Sequence, residues 1–282
     1  MTQLLQFVLT GVVTGCAYGL LATGFVVIHR VTRVVNFAQG GFAIFAGYVT
    51  YGALHRGLPH GAAEVLAVAA ATVLGGLVGG LCVGRRGTPP LASLIMTIGV
   101  GFCLYALEVT VWGDLPLQFQ ELIGVFTAGA LSLQRQYVLI AVVAVVTFVA
   151  LALFFGRTYL GKVFTACASN PLAARLAGIS VTWVGIAAFA LGGTLGGVAG
   201  VLFLPLGSLN FDGDVSLAVN GFAAAIFGGL QRPWLAFGGG IMLGVVEALA
   251  AGYGRASYER GVALIVLLGI LVWQAARRRE LA

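Results

Sequence analysis

The sequence predicts an all-α fold, a polytopic transmembrane helical bundle of about eight or nine spans forming one domain over residues 1–282. Three observations predict it. Of the 282 residues, 60% are hydrophobic and only 9% are charged, whereas soluble domains carry about 25% charged residues. The mean hydropathy is +1.04. The apolar residues also gather into runs close to the ~20 residues that carry a helix across the hydrocarbon core.

The runs fall at about 4–28, 34–54, 62–84, 91–112, 136–155, 183–208, 217–231, 235–254 and 260–276. The first opens on neutral Thr2, Gln3 and Gln6 with no basic leader, so it reads as a retained span and not as a removed signal peptide. It carries Gly11, Gly15 and Gly19 at spacing four, which puts them on one helix face where another backbone can come close. The second opens on Arg33-Val-Val-Asn36-Phe-Ala-Gln39-Gly40-Gly41. Asn36 and Gln39 are three apart and share a face if helical, beside two glycines that allow close approach. A helix N-cap or interface role for Asn36 and a ligand contact are equally supported.

Gly75 and Gly79 give the third span a small-residue face, and Glu108 lies near the outer end of the fourth, where reaching the interface and facing the bundle interior are both open. The loop 113–135 has room for a short interfacial helix. The sixth span repeats the ladder as Gly192, Gly196 and Gly200. The seventh is short for a full crossing and reads as a broken or re-entrant helix; its Asn220 and Gly221 hold the place that matches the Asn36 segment of the second. In the eighth, Gly240 and Gly244 precede Glu247, a charge near membrane depth. Such a group faces the bundle interior or water. A polar contact between helices and a lining of the translocation path are both open for Glu247.

Spans 1 and 6 share the ladder, and Phe-Ala-Ile-Phe-Ala-Gly (42–47) in span 2 resembles Ala-Ala-Ile-Phe-Gly-Gly (224–229) in span 7. An offset of five reverses orientation, so spans 1–4 and 6–9 read as an inverted repeat. Chance is the competing account in a chain with 43 glycines.

With the N-terminus outside, nine spans leave the C-terminus cytoplasmic. They place Arg30, Arg33, Arg85, Arg86, Arg157, Lys162, Arg175, Arg232 and Arg277 to Arg279 inside, and Glu64, Asp114, Glu121, Asp212, Asp214 and Glu259 outside. That is the bias of an inserted protein. The net charge of +6 is therefore topological, and nucleic acid is not an expected partner. Trp112, Trp183, Trp234 and Trp273 fall near span ends, where tryptophans anchor at the interface.

The segment about 156–182 holds the most specific local chemistry. In Asn170-Pro171-Leu172-Ala173-Ala174-Arg175-Leu-Ala-Gly178, Asn170 suits an N-cap, Pro171 the first helical position and Gly178 a left-handed stop. A helix of barely two turns is unstable alone, so a membrane protein presenting it docks it into a partner. Gly156-Arg-Thr-Tyr-Leu-Gly161-Lys162-Val163 approaches a phosphate-binding loop but has Val163 where the magnesium-holding hydroxyl belongs, and no strand precedes it. Any ATP and magnesium are thus expected on partner chains, with no cofactor or metal on this one. Cys16, Cys82, Cys103 and Cys167 form no C-x-x-C pair. His29, His55 and His60, expected in loops, have no matched nucleophile, which leaves no catalytic group to name.

Val-Val-Asn36-Phe-Ala-Gln39-Gly40 resembles the Asn-Phe-Ala-His-Gly signature of branched-chain amino acid ABC transporter permeases of the leucine–isoleucine–valine type. Gly161-Lys-Val through Asn170-Pro-Leu-Ala-Ala to Gly178-Ile179 is similar to the coupling segment of that family, and Gly228-Gly229 through Gly244 and Glu247 to its Gly-Gly…Glu run. The order is kept over nearly the whole chain. Gln39 replaces a common His, and Thr165 a common second Arg. The resemblance implies an importer subunit in the cell inner membrane. Its partners are a second, sister permease, two cytoplasmic ABC ATPases and an external solute-binding protein. The solute is a branched-chain amino acid or a relative such as urea, an amide, another amino acid or an aromatic acid. It also implies ATPase coupling through Asn170, Pro171, Leu172, Ala173, Ala174, Arg175 and Gly178, and a path past Asn36, Gln39, Gly40, Asn220 and Glu247. A secondary transporter working alone is the rival; it lacks membrane-depth ionisable groups other than Glu247.

Overall fold

The computed structural model describes residues 2–83, 90–113, 125–128, 131–206 and 213–253, with positions 261, 265, 268 and 269 beyond them. Among the described residues the helices are α1 (Thr2–Thr32), α2 (Gln39–His55), α3 (Ala62–Val83), α4 (Pro90–Trp112), α5 (Arg135–Arg157), α6 (Tyr159–Ser169), α7 (Pro171–Leu176), α8 (Val181–Phe203), α9 (Gly213–Phe227) and α10 (Pro233–Tyr253). Helices are forced on such a chain because lipid offers backbone groups no partner. Six of them, α1, α3, α4, α5, α8 and α10, are long and apolar enough to cross a membrane. The protein is a multi-pass membrane protein.

Several expectations are corrected. The second helix starts at Gln39 instead of 34, because Val35–Ala38 form no helix. The outer loop contains an antiparallel hairpin, β1 (Val125–Ala128) with β2 (Leu131–Gln134), and any short helix in it would fall on 114–124, outside the described residues. The sixth span ends at Phe203 and passes into a 3₁₀ turn, Leu204–Leu206. His29 and His55 occupy the last turns of α1 and α2. The ninth span, 260–276, lies outside the described residues apart from the four isolated positions, and so does Trp273.

The centre is α1 against α8, running antiparallel: Tyr18 meets Phe203, while the Cβ that Gly185 lacks would sit 3.4 Å from Thr32. Around them the contacts come in matched pairs. α1 packs on α10 as α8 packs on α3; α1 on α9 as α8 on α2; α9 on α10 as α2 on α3. Exchanging α1–α3 for α8–α10 leaves this pattern unchanged, and the exchanged central helices point opposite ways, as an inverted repeat requires.

Glycine sets these interfaces. A Cβ on Gly11 or Gly15 would lie 2.6 Å from the Cα of Val245 or Ile241, and Gly19 is covered by Phe237, so the first ladder faces α10. The second ladder serves different neighbours: Gly192 meets Ile28 of α1, Gly196 meets Phe42 at 3.1 Å and Gly200 meets the backbone of Ala43. The face of α8 that matches the first ladder is one residue on, Gly193 and Gly197, against Ala71 and Gly75 of α3. Both ladders therefore pack helices, but they are not equivalent positions of the repeat.

Candidate functional site

The coupling segment is built from local chemistry. Thr158 breaks the chain between α5 and α6, and its Oγ1 accepts from the Gly161 N–H at 3.0 Å. Asn170 ends α6 and begins α7; its Oδ1 accepts from the N–H groups of Leu172 at 3.1 Å and Ala173 at 3.0 Å. Pro171 stands at the first position, where a missing N–H costs nothing. Gly178 takes φ +82° and turns the chain into α8, with its N–H on the Arg175 carbonyl. The near-match to a phosphate loop is two helices with a one-residue break and a buried Gly161, not a cradle.

Leu172 is 67% exposed and Leu176 83% exposed, with Arg175 also exposed, so α7 turns a mixed apolar and basic face outward. Ala174 does not belong to that face. It is 4% exposed and packed into the same cluster as Phe164 and Cys167. A five-residue sequence pattern does not tell which side of a two-turn helix has protein behind it. In the same cluster, burial pushes the Cys167 thiol above its ordinary pKa.

The second constellation is a pair of buried amides. Asn36 and Gln39 are both fully buried. Asn36 lies in the linker and not on the helix: its Oδ1 accepts from the Ala38 N–H at 3.2 Å and its Nδ2 donates to Gln39 Oε1 at 3.2 Å. Gln39 Nε2 donates to the Gly192 carbonyl of α8 at 2.8 Å. The N-cap position of α2 belongs to Ala38, which corrects the capping role offered for Asn36. Gln39 packs on Gly24, eight residues before the end of α1, so α2 begins about 12 Å inside the bundle.

Irregular backbone at that depth must be satisfied by protein. Thr97 of α4 supplies this: its Oγ1 accepts from the Phe37 N–H at 3.2 Å and reaches the Val35 carbonyl at 3.5 Å. Arg33, with φ 60°, reverses the chain, and its Nη2 reaches the Ala168 carbonyl of α6 at 3.4 Å. Neither Thr97 nor Arg33 was legible as a site residue. The Arg33 contact joins the coupling segment to the linker that holds Asn36.

Gly40, Asn220 and Glu247 are buried as well, but the five path residues do not form one cluster. Glu247 follows Gly244, whose neighbours are Gly11 and Gly15, whereas Gln39 packs at Gly24. Thirteen residues of α1 separate Gly11 from Gly24, about 20 Å along its axis. Glu108, four residues from the Trp112 end of α4, is 1% exposed and so turned into the bundle. Trp183 and Trp234 are exposed, whereas Trp112 is half-buried against Tyr48 with ring centroids 5.5 Å apart.

Residues 7–271 match the family model described as the permease component of the branched-chain amino acid transport system. The chain is 27% identical to the high-affinity branched-chain amino acid transport system permease protein LivH of Salmonella typhimurium, over 95% of this chain and 92% of that one. It is 27% identical to BraD of Pseudomonas aeruginosa, which bears the same description, over 96% and 94%. The probable branched-chain amino acid transport permease protein LivH of Methanocaldococcus jannaschii is 30% identical over 90% and 85%. In fold the chain is similar to PsaBC from Streptococcus pneumoniae in complex with Fab, with TM-score 0.54 and 12% identity over 96% of this chain and 90% of that one.

Proposed function

The chain belongs to the permease-component family of branched-chain amino acid transport systems, and from that premise we propose that it forms half of the translocation path of an ABC importer. The solute is a branched-chain amino acid or a related small polar molecule. Its partners are a sister permease, two cytoplasmic ATPases that hold ATP and magnesium, and an external solute-binding protein. The bilayer is the inner membrane, with the N-terminus outside and the C-terminus in the cytoplasm.

The observation that carries this reading is α7. It is a capped helix of six residues that turns Leu172 and Leu176 into solvent, at the end of the bundle where Arg30 lies beside Gly156 and Pro233 and Arg33 reaches Ala168, with Arg157, Lys162 and Arg232 close in sequence to these. A cleft in one ATPase takes the apolar edge of α7. Closure of the ATPase pair then pulls on α6, and the Arg33–Ala168 contact passes the displacement to the linker of Asn36. Alternating access follows as one half-bundle tilts on the other.

The test co-expresses the full chain with the partner subunits and measures ATP-driven leucine uptake into proteoliposomes. Leu172→Asp combined with Leu176→Asp is expected to abolish uptake and ATPase co-purification while the spans keep their thermal stability. Uptake at the normal rate with the double variant would refute the docking assignment.

A further inference from the structure

We propose that the groove between α1, α5 and α10, at the α7 end of the bundle, is a binding site for an anionic phospholipid. Its phosphate sits on Arg30 and one acyl chain lies along Phe148 and Leu151. The site is separate from the docking face of α7, and nothing in the transport reading requires it.

The groove is a cavity of about 240 Å³ lined by Arg30, Phe148, Leu151, Phe155, Pro233 and Trp234. A narrow extension, sharing Arg30 and Phe155, runs past Val31 towards Phe164 of α6. The walls are aromatic and ordered by one another: Phe148 stacks on Phe237 at 4.3 Å and meets Trp234 edge-on at 4.8 Å. Beside the groove α5 presents Val142, Val145 and Val149, each about half exposed, which continue an apolar track along the helix.

Arg30 gives the groove its chemistry. It is half-buried, yet its guanidinium makes no hydrogen bond or ion pair among the described residues. A cation held partly out of water without a counter-charge calls for an anion. The acids whose side chains are described, Glu64, Glu108 and Glu247, lie towards the other end of the bundle. Glu64 is in the first turn of α3, whose last residue Val83 packs at Gly185. Glu108 is near the Trp112 end of α4, and Glu247 near the end where Phe7 meets Tyr253. The residues that flank the groove are instead Arg157, two positions after Phe155, and Arg232, next to Pro233.

A fork-shaped cation at the mouth, a tryptophan at headgroup level and an apolar track leading inward match a phosphodiester with its acyl chain. Free phosphate would use only the first of these. A second permease chain covering the groove would have to bring an acid to Arg30.

The test uses the assembled transporter purified in detergent. Native mass spectrometry compares binding of phosphatidylglycerol with phosphatidylcholine of the same chains, for the unaltered protein, Arg30→Gln and Arg30→Lys. Phosphatidylglycerol is expected to bind preferentially, Arg30→Lys to keep most of it, and Arg30→Gln to weaken it about tenfold. Equal binding of the two lipids, an unchanged Arg30→Gln, or displacement of the lipid by excess inorganic phosphate would each overturn the site. A photo-reactive amino acid placed at Ala152 in the otherwise unaltered chain gives a readout that does not depend on Arg30 variants folding. A lipid adduct supports the site, and an adduct to another protein chain excludes it.

Discussion

Gln39 Nε2 donates to the Gly192 carbonyl oxygen at 2.8 Å, pinning the first turn of α2 to the middle of α8. The same side chain accepts from Asn36, so it closes a bridge between the linker and the second half of the molecule. Replacing it with Leu strands the Asn36 amide in the interior, which costs about 1–3 kcal/mol. Gln39→Leu is expected to lower the unfolding midpoint in detergent, and Gln39→His, which keeps a donor, to lower it less. Equal stability of all three would show that the bridge contributes nothing.

A glycine at a helix contact and a glycine in open space should respond differently to a side chain. A Cβ at Gly15 meets Ile241 Cα at 2.6 Å, whereas at Gly80 nothing lies within 4 Å. Gly15→Leu should part α1 from α10 and cost about 2 kcal/mol or more, while Gly80→Ala stays within about 0.5 kcal/mol. Denaturant titration of the two purified variants distinguishes them.

Asn170 holds α7 by two backbone hydrogen bonds. Asn170→Ala is expected to fray the helix at a cost of about 1 kcal/mol. ATP hydrolysis should then run with less uptake per ATP, and Asn170→Asp should restore the ratio because it keeps the acceptor. An unchanged ratio in the Ala variant would mean that α7 need not be helical to work.

Burial pushes the Cys167 thiol above the ordinary thiol value. At neutral pH it should stay protonated and react slowly with maleimide, and its rate should keep rising as pH passes the ordinary thiol range. Phe164→Ala, which opens the same cluster, should speed the reaction at fixed pH. Peptide mapping of the adduct separates it from Cys103, which is exposed.

What the sequence revealed depended on how far apart the deciding residues lie. Asn170, Pro171 and Gly178 act within one short stretch, so cap, first turn and stop were all readable. The span pattern was readable for the same reason, since hydropathy is a local property. The start of α2 was not. Asn36 and Gln39 look helical at spacing three, and only Arg33 at φ 60° and Thr97, sixty residues from Phe37, show that the backbone is unwound there. Burial of Glu108 and Ala174 likewise depends on packing that no local pattern reports. The repeat was visible as a glycine ladder, but its register was wrong by one residue because α8 carries two adjacent small faces and only the partner helices tell them apart.

The pairing of α1 with α10, and of α3 with α8, also has a consequence for biosynthesis. The helix made first finds its closest mate only when the last of the described spans leaves the ribosome. At ordinary elongation rates that delay is roughly ten to fifty seconds. Through it the ladder of Gly11, Gly15 and Gly19 faces lipid, which tolerates small apolar residues as well as a protein neighbour does. A nascent chain truncated before Pro233 should accordingly be inserted yet be recognised by membrane quality-control proteases as unfinished.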